Sequence, residues 1–311
     1  MLESDHQTWE IILPVDAAFN SPGHFFKGNI HTHSSRSDGA LEPEAVCAAY
    51  RDAGYDFIAL TDHFLGKYGF PIVDTRPFRT NRFTTILGAE VHAPETSLGE
   101  TWHLLAVGLP ADLAPTAASE TAPQLARRCL EAGAFLAIAH PAWYGLTKAD
   151  ADTIEGAHAV EIYNHTSQVR TDRGDSSALL DQLHASGRRI GLCAVDDAHF
   201  HCKDYFGGFV MVKSVDNEPH ALLSSLKAGA YYSSQGPVIE SVVYGEDHVE
   251  IVCSPASAVM VLGRGSRASQ HVASGLERVK LSLDAVKGGG FARVVVVDKQ
   301  GRRAWTNPVW W

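Results

Sequence analysis

One pattern recurs four times along the chain and restricts the folds open to it. A helix-like run closes on a small residue and a glycine, and a short continuous apolar run follows. The copies are EAVCAAYRDAG before YDFIALTDH, QLARRCLEAG before AFLAIAHP, ALLDQLHASG before RRIGLCAVDDAH, and EPHALLSSLKAG before AYYSS. Gly54, Gly133, Gly187 and Gly229 stand where a left-handed residue ends a helix, a conformation that costs glycine little. Apolar runs without alternation suit strands buried on both faces. Helix then strand, repeated, predicts an α/β fold with a parallel sheet and helices outside it. At 311 residues, the chain has room for one large core and a smaller appendage.

What ends these runs is informative. Asp62 and His63 close one, His140 another, and Asp197 with His199 a third. Glu90 in TTILGAE reaches a comparable strand end, and His103 opens WHLLAVGL; an antiparallel step between them returns the chain to the same rim. In GNIHTHSSRSDGAL, His31 and His33 are one residue apart, and Asp38 follows a polar turn. Residues i and i+2 of an extended segment share a face, so both histidines can reach one ion. Imidazoles and carboxylates are the ligands of zinc, iron and manganese. A lone His-x-His, TDH or AHP is more often ordinary polarity, bonded to backbone. Nine His, Asp and Glu residues gathered at successive strand ends, where barrels of this type carry their catalytic groups, predict a metal centre.

The motifs HTHSSRSDG, FIALTDH, GAE, HLLAVGL, AIAHP and DDAH, in this order over residues 28 to about 200, resemble the polymerase and histidinol phosphatase (PHP) superfamily of metal-dependent hydrolases. FKGNIHTH and the ending AWTNPVWW also resemble the CehA/McbA-type metallohydrolases, in which a small β-rich region follows the barrel. The resemblance implies a distorted (β/α)7 barrel with up to three divalent ions, zinc, manganese or iron, at its rim. It implies one ion held by His31, His33, Glu90 and Asp197, a second by Glu90, His103 and His140, and a third by Asp38, His63 and His199. Asp38 stands where some relatives have histidine. Two ions sharing Glu90 would lower the pKa of a water between them, and the third would polarise an oxygen of the scissile group. Asp62 is expected to orient His63 by a hydrogen bond, and Asp196 to cap or support rather than to bind metal.

The implied reaction is hydrolysis of a small phosphorylated metabolite. Arg76, Arg79 and Arg82, in the loop after TDH, are candidates for gripping phosphate, and His165 or His201 for protonating the leaving alcohol; His92 lies near the same rim. Nucleotide-phosphatase relatives often carry an arginine after AHP, where this chain has AHPAWYG. Trp143, Tyr144 and Tyr163 would instead wall an apolar group, as a carboxylic ester, carbamate or amide hydrolase requires. A metal-bound domain without catalysis, as in some DNA polymerases, is the third alternative. No GxSxG or Walker-type motif competes.

The remaining features narrow the setting. A formal charge of −10 argues against nucleic acid and anionic membranes as partners. The absence of a signal-like start or a bilayer-length apolar run makes the cytoplasm the expected location. Five cysteines without a CxxC pair read as packing residues of a reducing compartment. The expected division is an extension over 1–25 holding the strand TWEIILPVD, a barrel over 26–236, and a small β-sandwich-like domain over 237–311, where runs such as HVEIVCS and FARVVVVDKQG replace the helical pattern.

Overall fold

The computed structural model describes residues 17–311, and the expected strand TWEIILPVD lies outside them. The chain opens with α1 (Ala17–Asn20), β1 (His24–Asn29), α2 (Pro43–Asp52), β2 (Phe57–Leu60), β3 (His63–Phe64), β4 (Thr84–Ala93) and β5 (Trp102–Val107). It continues through α3 (Ala122–Glu131), β6 (Phe135–Ile138), α4 (Lys148–Thr153), β7 (Ala159–Asn164), α5 (His165–Thr171), α6 (Ser177–Ala185), β8 (Gly191–Val195), β9 (Phe209–Ser214), α7 (Pro219–Lys227) and β10 (Tyr231–Ser234). The last part is β11 (Ile239–Tyr244), β12 (His248–Leu262), β13 (Ala268–Ser282), α8 (Asp284–Lys287), β14 (Phe291–Val297), β15 (Arg303–Thr306) and β16 (Val309–Trp310).

Each repeated unit forms as its residues dictate. Proline starts α2 and α7, where its missing N–H costs nothing. A Thr121–Gln124 capping box starts α3. The four glycines after the helices adopt φ of +79°, +90°, +91° and +70°, which closes each helix and turns the chain into the next strand. Strands β2, β6 and β8 are buried along their whole length, as their unalternating apolar runs require.

All the strands join one sheet, whose main path runs β11-β12-β14-β15-β10-β9-β1-β2-β4-β5-β6-β7-β8. Pairing is parallel through β1-β2-β4 and β6-β7-β8, but β5 runs antiparallel to both β4 and β6, and β9 runs antiparallel to β1 and β10. β5 makes the antiparallel step expected between Glu90 and His103, since residues 94–101 are too few for a crossover helix, and β9 is a further antiparallel strand that the expected parallel sheet did not include.

The sheet curls without closing into the expected (β/α)7 barrel. On the free edge of β8 the N–H groups of Leu192, Ala194 and Asp196 donate to side-chain oxygens of Asn307, Ser233 and Asn29, at 2.9, 3.1 and 3.0 Å. Once these donors are satisfied, β8 has no call for a ladder with β1 or β10. A single bridge, Thr32 to Ala198, links the two sides at the rim.

Strands after residue 236 extend this sheet, because β15 pairs with β10 on one side and β14 on the other. Val249, Ile251, Val259, Val294 and Val296 form a core there with Tyr232, while Trp305 and Val295 join the core that packs the helices against the sheet. A separate core with Ile30, Phe57, Ala137 and Val195 fills the inside of the curl, where α7 contributes Leu222 and Leu226. Among the described residues no helix is long and apolar enough to cross a membrane.

Candidate metal centre

Register decides which side chains meet. Pairing of β3 with β4 sets His63 opposite Glu90, and pairing of β4 with β5 sets His92 opposite His103. His31 and His33 follow β1, His140 follows β6, and Asp197 and His199 follow β8, so all reach the same rim. Asp38 returns to it through its turn. Asp197 Oδ1 lies 2.8 Å from His33 Nε2 and 3.3 Å from His31 Nε2. Glu90 Oε1 lies 2.7 Å from His103 Nδ1, 2.9 Å from His140 Nε2 and 3.7 Å from His31 Nε2, which places this carboxylate between ligand groups. Asp38 Oδ1 is 3.4 Å from His63 Nε2 and 3.5 Å from His199 Nε2. The nine residues thus come together, with His92, as four overlapping sets able to hold a cation: His31, His33 and Asp197; His31, Glu90 and His140; Asp38, His63 and His199 with His33; and His63, Glu90 and His103 with His92.

The donors fit divalent metal. His31 Nε2 is buried within the cluster without a hydrogen bond, a state that costs free energy unless something else engages it. Burial alone would raise the Glu90 pKa, yet His103, His63 and His31 hold its carboxyl well below the usual range. Burial likewise opposes ionisation of Asp197, and His31, His33 and His199 overcome it. Burial lowers His63, but Glu90 and Asp38 more than offset that and raise it to about 10. Burial next to His63 and His199 pushes His33 down to about 3. Two of the candidate ligands sit in left-handed backbone, His140 at φ +26° and Asp197 at φ +57°, a conformation non-glycine residues hold only where the surroundings enforce it.

Other side chains fix the cluster's geometry. Glu161 accepts from His31 Nδ1 at 2.6 Å and from the His140 amide at 2.7 Å, and Asn164 donates to both Glu161 and Asp197. The sequence signal for Glu161 was a carboxylate inside the apolar run AVEIYN, which the fourfold pattern does not include. Asp62 accepts from the Ser34 amide and from the hydroxyls of Ser34 and Ser37, so it shapes the turn to Asp38 and forms no hydrogen bond with His63, contrary to expectation. Asp196 is wrapped by the amides of Phe206, Gly207 and Gly208 and by the Tyr50 hydroxyl, and faces away from metal duty.

No family model matches the sequence, and neither does any curated protein. Among solved structures, a two-domain protein containing a predicted PHP-like metal-dependent phosphoesterase from Bacteroides vulgatus is similar over 96% of this chain and 98% of that one, with a TM-score of 0.52 and 15% identity. The chain has the PHP-like fold. An amidohydrolase from Chromobacterium violaceum with bound sulfate and no metal is similar over 57% of this chain and 89% of that one, with a TM-score of 0.41 and 15% identity.

In this PHP-like fold, Asp38, His63, His103, His140, Asp197 and His199 border a cavity of 310 Å³. Trp143 lines it as expected, 39% exposed and edge-on to His140 and His103. Tyr144 does not: it is buried behind those two imidazoles, within the core. Arg76 and Arg79 also lie off the cavity. Arg76 is exposed and held by both carboxylate oxygens of Asp74, and Arg79 donates to the Thr85 carbonyl, so each guanidinium serves its own loop. His165 is hydrogen-bonded to Tyr163 at 3.0 Å and packed against Gly207, while exposed His201 pins the Asp38 carbonyl at 2.8 Å. Neither lines the cavity. The cation that does is Arg170 on α5, which the polar run NHTSQVRTDRGD did not single out.

Proposed function

We propose that the chain is a metal-dependent hydrolase of the PHP superfamily that cleaves a phosphate ester of a small molecule. The observation that carries this reading is one cavity bordered by imidazole and carboxylate ligands on one side and by Arg170 on the other. His31, His33, Glu90 and Asp197 would hold one divalent ion, Glu90, His103 and His140 a second, and Asp38, His63 and His199 a third. Such ions, when bound, supply Lewis-acid polarisation of a phosphoryl oxygen and a water of lowered pKa.

The chain's own residues do the rest. Arg170 makes no ion pair among the described residues, which leaves its forked donors free for non-bridging phosphate oxygens. Trp143 offers an apolar wall to the leaving group. Glu161 holds the His31 ring and the His140 backbone in place, and Asn164 holds the Asp197 carboxylate. A second reading, hydrolysis of a carboxylic ester, carbamate or amide, draws on the same Trp143 and on a single guanidinium where phosphate sites often gather several.

A substrate panel separates the two. p-Nitrophenyl phosphate should be hydrolysed faster than p-nitrophenyl acetate or an aryl carbamate, and Arg170→Ala should lower kcat/KM for the phosphate by ~10–100-fold, as expected for losing a charged hydrogen bond. Faster turnover of the acetate or carbamate, indifferent to Arg170→Ala, would establish the second reading instead.

A further inference from the structure

His92 stands outside the ligand set that the family resemblance implies, yet its ring lies in the cluster. Glu90 and His92 are two residues apart on β4 and project to the same face. The ladders place His63 directly across from Glu90, and His103 directly across from His92, so three adjacent strands bring four metal-binding side chains onto one patch. His92 Nε2 is 3.0 Å from His63 Nδ1 and 3.7 Å from Glu90 Oε2. Glu90 Oε2 is 2.5 Å from His63 Nδ1, and the rings of His92 and His103 meet edge-on with centroids 4.4 Å apart. One donor atom from each of the four lies within 4.8 Å of the others. Ligand atoms bound at ~2.0–2.1 Å around a tetrahedral zinc sit ~3.3 Å from one another. The separations among His63, Glu90 and His92, 2.5 to 3.7 Å, bracket that spacing, and His103 completes the set within 4.8 Å.

Two further features set this patch apart from a hydrogen-bonded core. The other nitrogen of His92, Nδ1, is buried without a partner, so the ring's links to the protein run through Nε2. His63 turns its Nε2 the other way, 3.4 Å from Asp38, so its two nitrogens address two different ligand groups, and with both groups filled the ring would give up its N–H proton to solvent and bridge as an imidazolate.

We infer that His92 is a metal ligand, which together with Glu90, His103 and Nδ1 of His63 forms a cation site beneath the cavity. This rests on the reading of the cluster as a metal centre. Three imidazoles and one carboxylate select zinc or a similar transition ion over magnesium or calcium. Four protein ligands leave no position open for water, and His92, unlike His63 and His103, does not line the cavity. The site therefore fixes Glu90, His63 and His103 in place and takes no part in turnover.

The test is metal content, not activity. Wild-type, His92→Ala and His92→Gln proteins are stripped, loaded with zinc, dialysed against a graded chelator and assayed for bound zinc, with the melting of the stripped proteins as the folding control. Both variants should hold about one ion fewer per chain than wild type. A wild-type zinc count retained in both variants overturns the proposal and leaves the metal centre intact. Loss in His92→Ala with full retention in His92→Gln also overturns it, since a hydrogen-bonding role would then suffice. A wild-type protein that binds no zinc overturns the metal reading itself. Should the variants fail to fold, anomalous diffraction from zinc-loaded wild-type crystals decides: a peak bounded by His63, Glu90, His92 and His103 supports the site, and its absence refutes it.

Discussion

Histidine serves opposite ends in this chain. In the cluster, Glu90 and Asp38 hold a proton on His63 up to about pH 10, whereas His184 is sealed in a neutral state between Phe291 and Trp310, its Nε2 donating to the Ile190 carbonyl at 2.9 Å. Burial, with Arg293 nearby, lowers its pKa from 6.5 to about 3. Between those values the unfolded chain binds a proton that the folded chain does not, so stability rises with pH across this window. The contribution is complete above 6.5 and is lost as pH falls toward 3. His158, lowered to about 4 mainly by burial, acts in the same direction. In metal-stripped protein these two histidines should therefore lower the urea midpoint at pH 5 relative to pH 7, against the opposite contribution of His63. His184→Gln, which keeps a donor for Ile190, should narrow that gap; an unchanged gap would refute the assignment. At this scale the imidazoles and carboxylates that cluster at the rim were legible in the sequence because most stand at the ends of apolar runs. Glu161 and Arg170 were not, since nothing local marks which carboxylate reaches under His31 or which arginine faces the cavity. Arg76 and Arg79 misled because their own loop consumes them.

At the scale of the element, the rim depends on how each strand ends. The turn after β8 carries Asp196, Asp197 and His199, and Gly207 and Gly208 return to it, their amides bound to Asp196. A Cβ on Gly208 would come within 2.3 Å of the Val195 carbonyl oxygen, which as backbone cannot step aside cheaply. Gly208→Ala should destabilise the fold by ~1–3 kcal/mol, the usual range for overpacking. It should also reduce metal retention, because Asp197 and His199 hang from the strained turn. Thermal unfolding with and without added zinc measures both effects, and a melt identical to wild type would show that the turn tolerates the change. The glycine-closed helices were legible because a left-handed C-cap selects glycine. Strand direction was legible only in part: the antiparallel step from Glu90 to His103 followed from a short connection, whereas that of β9 depends on its partners β1 and β10, of which β1 is distant in sequence.

At the scale of the whole molecule, the seam along β8 and the union of β10 with β15 were invisible in the sequence. Both depend on residues far apart along the chain. Asn307, in the ending AWTNPVWW, binds the Leu192 amide with its carbonyl oxygen and the Gly229 and Tyr231 carbonyls with its amide. The C-terminal strands thereby hold the open side of the curl in place, and β8 presents Asp197 and His199 to the rim as a consequence. The central claim is that this frame exists to gather divalent ions for hydrolysis. Its most direct test is the metal content of protein purified without chelator, measured beside Glu90→Gln and paired with p-nitrophenyl phosphate hydrolysis. Wild type should carry at least about two divalent ions per chain and Glu90→Gln fewer, with activity that chelator abolishes and manganese or zinc restores. A folded wild-type protein that carries no ion and stays inactive with either metal would contradict it.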